Sequence, residues 1–238
     1  MSQVIEQARI THLEAFNQDV FRVLLETEQP PEYQAGQYLE IGVPENGWAP
    51  FSIACAPGAS QLELHIQYLP GRETSEKIQQ QLQVGQCLKL RLASGACVLP
   101  EQEQPLVLVA AGTGYAQMKA LLEETFKRGW QAPIHLYWGA REPRGLYALQ
   151  EARGLAEAHN NLTLIPCVEL PSADWAGRTG SLVDALAEDF ISPESAQAVR
   201  GFMSGSPAMV YAVEDFMSSR GMPAKALLSD VHAYAPRS

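Results

Sequence analysis

Apolar and polar side chains alternate with a period of two through roughly the first hundred residues of the chain. The apolar members of Leu62-Glu63-Leu64-His65-Ile66-Gln67 and of Leu88-Lys89-Leu90-Arg91-Leu92 fall on one side of an extended chain, which is typical of strands with one buried face. The same pattern predicts strands over 8–15, 20–27, 37–43 and 51–56, separated by turn residues, and a helix over 74–82. Six strands and one helix predict a small antiparallel β-barrel.

From residue 104 the pattern changes to apolar strands that alternate with helices. Strands are predicted over 106–111, 134–140, 162–168, 200–204 and 226–231, and helices over 116–128, 147–158, 182–190 and 208–220. Such alternation predicts an α/β domain with a doubly wound parallel sheet. The polar segment 100–105 is bracketed by prolines, so we predict two domains, a barrel over 1–102 and an α/β domain over 103–238.

Composition narrows the classes of partner. The 238 residues carry a formal charge of -10 from 27 acidic and 17 basic side chains, which argues against a nucleic-acid partner and is otherwise explained by solubility. Four cysteines lie too far apart to resemble a zinc or iron–sulfur site, so we expect no metal and a reducing compartment. No run approaches ~18 apolar residues, and we expect a cytoplasmic protein with no membrane association.

One glycine-rich turn suggests nucleotide binding. The apolar run Leu106-Val107-Leu108-Val109 leads into Gly112-Thr113-Gly114 and then into helical spacing. Glycines allow a sharp turn and a close ligand approach, and the following helix offers N–H groups to an anion. Turns of this kind also serve only to change chain direction, so this segment by itself leaves both interpretations open.

Several ordered motifs together make the chain resemble the ferredoxin–NADP reductase superfamily, and in particular the small bacterial NAD(P)H:flavin reductases. The motifs are Ala49-Pro50-Phe51-Ser52, Leu64-His65-Ile66, Gly112-Thr113-Gly114, Tyr137-Trp138-Gly139-Ala140-Arg141, Gly177-Arg178-Thr179-Gly180 and Ser204-Gly205-Ser206-Pro207-Ala208-Met209. The resemblance implies that the barrel binds flavin (FAD, FMN or riboflavin, as cofactor or as substrate) and that the α/β domain binds NADH or NADPH.

For the barrel, the resemblance implies a flavin-lining strand at Pro50, Phe51 and Ser52. Ser52 is the candidate catalytic residue, because a small donor near flavin N5 stabilises the charge that develops during hydride transfer. Phe51 would provide an apolar wall. The alternative is an ordinary barrel strand in which Phe51 points inward and Ser52 outward.

A second flavin-binding segment is implied at His65, Ile66 and Gln67, whose backbone groups would bond the pyrimidine edge of the ring. We expect the His65 side chain to be exposed and not catalytic. Thr74 and Ser75 open the predicted helix and suit either a flavin phosphate or an N-cap, and capping alone is the favoured interpretation.

For the α/β domain, the resemblance implies nicotinamide contacts from Gly112, Thr113 and Gly114. Further residues are implied in cofactor binding: Arg141 and Arg144 for the adenosine ribose or its 2′-phosphate, Ser204, Gly205 and Pro207 where many relatives have Cys-Gly-x-Pro, and Tyr234 as an aromatic side chain near the flavin. The two arginines can equally be solvated loop charges, Glu142 between them weakens the case for NADPH alone, and Tyr234 can serve packing only.

The sequence therefore predicts an enzyme that passes hydride from NAD(P)H to flavin, with one departure from the family pattern. Ala49 stands where relatives usually have arginine, and we expect weaker flavin retention without that charge. Two alternatives stay open: an FAD-bound electron-transfer reductase for a ferredoxin or oxygenase partner protein, and a flavin- or nucleotide-binding regulatory subunit without turnover. The electron acceptor, the choice of NADH or NADPH and the oligomeric state are left open as well.

Overall fold

The computed structural model describes residues 3–190 and 199–237 and divides into two compact units. One unit, here the barrel unit, comprises Met1–Leu99 and Lys119–Thr125. The other, here the sheet unit, comprises Pro100–Met118 and Phe126–Ser238.

The described part of the barrel unit contains a six-stranded antiparallel sheet with the strand order β4-β3-β6-β1-β2-β5. Its elements are β1 (Gln3–Ala15), β2 (Val20–Glu26), β3 (Tyr38–Val43), β4 (Gly47–Ser52), β5 (Leu62–Gln67), helix α1 (Glu73–Gln81) and β6 (Cys87–Ser94). Just after β4, Ile53 forms an antiparallel bridge with Leu64, and the Ala54 N–H donates to the Glu63 carbonyl at 2.8 Å. The chain beyond β4 thus meets β5 and closes the predicted barrel.

The barrel core is built from the apolar members of the alternating strands. Leu62, Leu64 and Ile66 of β5 pack there with Leu88, Leu90 and Leu92 of β6, and all six are buried. Ile78 is the buried residue of α1 and joins the same core. A period of two in the sequence therefore becomes one apolar interior.

The described part of the sheet unit contains a six-stranded parallel sheet with the order β10-β9-β8-β7-β11-β12. Its strands are β7 (Leu106–Ala111), β8 (Ile134–Ala140), β9 (Leu162–Val168), β10 (Arg178–Thr179), β11 (Arg200–Ser204) and β12 (Leu227–Leu228). Its helices are α2 (Tyr115–Lys127, shared with the barrel unit), α3 (Leu149–Ala158), α4 (Leu182–Asp189), α5 (Pro207–Ser219) and α6 (Val231–Tyr234). The predicted doubly wound sheet is confirmed.

The strand order reverses beside β7. The chain runs outward from β7 through β8 and β9 to β10, and then returns to place β11 on the other side of β7. Ser204, the last residue of β11, is in register with Ala110 of β7. In open parallel sheets, ligands bind outside the carboxyl ends of the strands at such a switch point.

The structure departs from the predicted strands at four places. β1 begins at Gln3 and not at residue 8. β4 begins at Gly47 and ends at Ser52, not 51–56, because a tight turn pairs Val43 with Gly47 and the chain then leaves β3 for β5. β10 was not predicted, because a strand of two residues is too short to show an alternation of apolar and polar side chains. The predicted strand 226–231 is wrong beyond Leu228: Val231 begins a short helix, and the Ser229 hydroxyl accepts from its N–H.

Within the described residues, no helix is long and apolar enough to cross a membrane. The same residues contain no cluster of His, Cys, Asp or Glu that could hold a metal ion.

Candidate functional site

The glycine turn at the carboxyl end of β7 uses its two glycines differently. Gly112–Gly114 form a single 3-10 turn that runs directly into α2. Gly112 has a φ of +52°, and a Cβ there would meet nothing within 4 Å. A Cβ on Gly114 would lie 2.1 Å from the Ser204 carbonyl oxygen. At position 112 glycine is needed for the positive φ, and the space beside it is open. At position 114 glycine is needed because any side chain would clash with Ser204 at the end of β11.

The carboxyl end of β11 lies against the same turn. Ser204 is half-buried, and a Cβ on Gly205 would lie 2.9 Å from the Cβ of Ala111. The Ser206 hydroxyl accepts from the Met209 N–H at 3.3 Å, and Pro207 is the first residue of α5. Pro207 thus starts a helix, and the structure brings Ser204 and Gly205 next to Gly114.

The start of α2 is suited to an anion. The turn that precedes it has no side-chain cap, and the first turn of α2 has no acidic residue. By contrast, α4 begins with a capping box made by Ser181 and Asp184, and α5 is capped by Ser206, whereas α1 and α3 also begin without a side-chain cap. The dipole of a helix favours a negative group at its N-terminus.

Trp138 fixes the turn from the neighbouring strand. Its Nε1–H donates to the Gly112 carbonyl at 3.0 Å. Its ring stacks on Tyr115 with centroids 4.0 Å apart and meets Tyr147 edge-on at 5.4 Å. Trp138 was part of a predicted motif, but sequence reasoning gave it no role. A buried indole N–H usually has a hydrogen-bond partner, and this rule could have pointed to Trp138.

The arginines of the sheet unit have different surroundings. Arg141 is exposed directly after β8. Arg144 is also exposed and pairs with Glu142 at 3.0 Å. Arg178 contacts both carboxylate oxygens of Asp189, at 2.8 and 2.9 Å, and lowers the pKa of that group. Arg178 therefore anchors α4, whereas Arg141 and Arg144 are both exposed after β8.

Tyr234 ends α6 with 65% of its surface exposed. The Tyr211 hydroxyl donates to the Ala235 carbonyl, and Arg237 forms a bidentate pair with Asp215. The residues on either side of Tyr234 are thus held against α5, while its ring is open to contact.

Strand β4 presents Ser52 on its outward face. Ala49 and Phe51 pack with the barrel core, whereas Pro50 is exposed and Ser52 half-buried. Ser52 is the last residue of the ladder and is opposite Tyr38 of β3. This is the inward Phe51 and outward Ser52 of an ordinary strand, so Phe51 as a flavin wall stays a prediction.

Ala49 lies in an environment that differs from the one expected of a phosphate clamp. It is 6% exposed and belongs to the barrel core. An arginine at this position would have to displace core side chains before its charge reached water. Restoring the family residue at position 49 is therefore not a simple surface change.

The expectation that His65 is exposed is wrong. It is 4% exposed, its Nε2 lies 2.9 Å from Glu63 Oε1, and its ring meets Phe16 edge-on at 4.9 Å. Burial lowers the pKa of His65 against the opposing effect of Glu63. On the outward face of β5, Phe16 contacts the His65 ring and Lys119 reaches Glu63 at 2.8 Å. Ile66 is in the core, and Gln67 is exposed.

The expectation that Thr74 or Ser75 caps α1 is wrong as well. Arg72 is the N-cap residue and makes no side-chain cap bond. The Ser75 hydroxyl instead accepts from the Leu69 N–H at 2.8 Å, because the preceding loop folds back over the first turn. Thr74 is exposed.

Comparisons with known proteins identify the family of this chain. The family model described as an oxidoreductase NAD-binding domain matches residues 108–215. The NAD(P)H-flavin reductase of Vibrio harveyi is 31% identical over 96% of this chain and 98% of its own, and that of Aliivibrio fischeri is 34% identical over 77% of this chain and 80% of its own. The chain belongs to the NAD(P)H-flavin reductase family.

A solved structure shows the same fold. The cytochrome P450 reductase of Amycolatopsis superposes with a TM-score of 0.87 at 28% identity, over 95% of this chain and 69% of that one. The predicted resemblance and fold class are thus confirmed for this member of the flavin reductase family.

In this member of the flavin reductase family, each of the two units contains some of the residues predicted to bind a cofactor. The sheet unit brings together Gly112, Thr113, Gly114, Ser204 and Gly205 at its switch point. In the barrel unit, the Ile53–Leu64 bridge joins the chain after Ser52 to the strand that carries His65. Lys119, which sequence reasoning did not consider, contacts both segments.

Proposed function

We propose that this protein catalyses the reduction of flavin by NADH or NADPH. The observation that carries the proposal is the switch point, where an open glycine turn and an uncapped helix start lie between β7 and β11. The likeness to flavin reductases over nearly the full chain supports the same activity. The location in the cytoplasm stays a prediction from the sequence.

The sheet unit provides the groups suited to the pyridine nucleotide. N–H groups at the start of α2 fit its diphosphate, and Gly112 leaves open space beside Thr113. The remaining proposed contacts are Gly114, Arg141, Ser204, Gly205, Pro207 and Tyr234. Tyr234 and Arg141 are exposed and can reach a ligand without rearrangement.

The barrel unit provides the groups suited to flavin. A bound flavin supplies the acceptor atom N5 for the hydride of the nicotinamide. The Ser52 hydroxyl is on the outward face of β4 and can donate to a ring placed there. The remaining proposed contacts are Pro50, Phe51, His65, Ile66, Gln67, Thr74 and Ser75. His65 and Ile66 are limited to their backbone groups because both side chains are buried.

Steady-state oxidation of NADH and NADPH, with and without riboflavin, FMN or FAD, tests the proposal. We expect oxidation that rises with added flavin. No stimulation by any flavin in folded protein would refute the activity and would favour a binding subunit without turnover.

An electron-transfer reductase that keeps its flavin is the second candidate. The cytochrome P450 reductase with a TM-score of 0.87 favours it. An absorption spectrum of the purified protein separates the two candidates. A stoichiometric flavin band together with oxidation that depends on an added protein acceptor would identify the second, whereas colourless protein that is active with free flavin would identify the first.

A further inference from the structure

A buried group of charges in the barrel unit is not explained by the proposed contacts. It consists of Lys119, Glu63, Glu123, His65 and Arg22, here the Lys119 cluster. The Lys119 ammonium donates to Glu63 Oε2 at 2.8 Å, to Glu123 Oε1 at 2.6 Å and to the Ala54 carbonyl at 3.0 Å. An ammonium has three protons, so all of them are used.

The cluster holds the chain that follows Ser52. Lys119 binds the Ala54 carbonyl, and the Glu123 carboxylate accepts from the Ala56 N–H at 2.9 Å. Two residues of one helical turn thus fix a carbonyl and an N–H that lie two and four positions after Ser52. A short extended segment with both groups bound has little freedom to shift.

The cluster also holds β5. Glu63 Oε1 is 2.9 Å from His65 Nε2 and 3.1 Å from Arg22 Nε, while its other oxygen binds Lys119. Burial acts to raise the pKa of Glu63, but the hydrogen bond to His65 and the charge of Lys119 outweigh it and lower that pKa to about 2. The carboxylate is therefore charged at neutral pH and needs its cations.

Lys119 is the central member because its ammonium contacts the Ala54 carbonyl and both carboxylates. Its side chain is 9% exposed, against 31% for Glu123. Breaking a buried ion pair by removing one partner leaves an uncompensated charge. The bond from the Ala54 N–H to the Glu63 carbonyl and the bond from the Tyr33 hydroxyl to the Ala56 carbonyl would remain. Loss of this ammonium would therefore loosen the segment 54–56 against β5 without separating them.

We propose that Lys119 is a positioning residue of the flavin site, which sets the place of Ser52 and of strand β5 by holding residues 54–56 against Glu63. This inference rests on the proposed flavin reductase activity. Lys119 itself touches neither flavin nor nucleotide in this role.

The test compares Lys119→Met, which keeps the length of the side chain and removes the donors, with Lys119→Arg, which keeps the charge. Lys127→Met is the matched control, since Lys127 is an exposed lysine of the same helix. Single-turnover flavin reduction at saturating flavin and nucleotide measures the reaction. Hydrogen exchange of peptides covering 50–67 measures how readily the backbone hydrogen bonds of the two segments open. Circular dichroism checks the fold.

We expect Lys119→Met to slow single-turnover reduction by about ten- to a hundredfold, since a displacement of about 1 Å can cost up to about a hundredfold. We also expect it to speed hydrogen exchange in 50–67. Lys119→Arg should recover most of the rate, and Lys127→Met should match the parent. Glu123 is more exposed than Lys119, so Glu123→Gln serves if Lys119→Met fails to fold. It should slow single-turnover reduction several-fold and speed hydrogen exchange in 50–67.

Two results would overturn the inference. One is unchanged exchange in 50–67, which can be read even if the parent shows no flavin-dependent turnover and the proposed activity itself fails. The other is faster exchange with a single-turnover rate equal to that of the parent, which would make the cluster structural only.

Discussion

Substituting Gly114 tests the geometry of the switch point most directly. The added Cβ of Gly114→Ala would lie 2.1 Å from the Ser204 carbonyl oxygen and 3.1 Å from the Ser204 Cβ. Ordinary carbon contacts need about 3.5 Å, so the ends of β7 and β11 must separate by more than about 1 Å. Backbone atoms cannot relieve this contact by changing a rotamer.

The cost of Gly114→Ala should be near the upper end for overpacking, about 3 kcal/mol. The same substitution at two other glycines gives reference values for this change in stability. Gly112→Ala adds a Cβ in open space at a φ of +52°, which costs roughly 1–2 kcal/mol for a left-handed residue. Gly154→Ala lies in the exposed part of α3 with nothing within 4 Å and should stabilise by about 0.5–1 kcal/mol.

Urea unfolding followed by tryptophan fluorescence measures the three changes. Trp138 is suited to report them because it bonds Gly112 and stacks on Tyr115. A shift of the midpoint at constant slope gives the change in the free energy of unfolding. If Gly114→Ala is no less stable than Gly112→Ala, the close approach of β11 to the turn is wrong, and so is the switch point derived from it.

Three further outcomes are expected. Ser52→Ala should slow single-turnover hydride transfer by roughly tenfold to a thousandfold and change the flavin dissociation constant less; equal rates would remove Ser52 from the reaction. Ala49→Arg should lower the free energy of unfolding by about 1–3 kcal/mol because position 49 is in the barrel core, and a stable variant with tighter FMN binding would contradict that burial. The lowered pKa values of Glu63 and His65 should make the protein lose stability as pH falls below 6.5 and further below 4.5, since each group then binds protons more readily when unfolded. Urea unfolding at several pH values would show this loss of stability. Lys119→Met should make the loss below pH 4.5 smaller, because the Lys119 charge helps to lower the pKa of Glu63.

Ala49 shows that a sequence motif can match a family pattern without revealing how buried its residues are. The segment Ala49-Pro50-Phe51-Ser52 resembles a family pattern in which position 49 is usually arginine. From the motif alone, the change to alanine suggests the loss of a surface contact. Strand alternation from Phe51 already indicated that position 49 shares the inward face. What the motif could not show was how completely neighbouring side chains cover that face.

The sequence by itself determined the two-part architecture and most of its strands and helices. Periods of two and of 3.6 residues report which face of each element is apolar, and this information is local. It identified β5 and β7 at their observed bounds, and it identified the glycine turn together with the helix that follows it. It also predicted that Ser52 points outward if its strand is an ordinary one.

The tertiary structure decided what covers each face. His65 is buried against the ring of Phe16 and beside Glu63, which Lys119 reaches from more than fifty residues later in the chain. No local sequence pattern carries these contacts. Gly114 and Ser204 meet because the strand order reverses beside β7, which follows from how all the strands pair. Short edge strands such as β10 exist only through a neighbour that already lies in place, since two residues bury too little surface to order themselves.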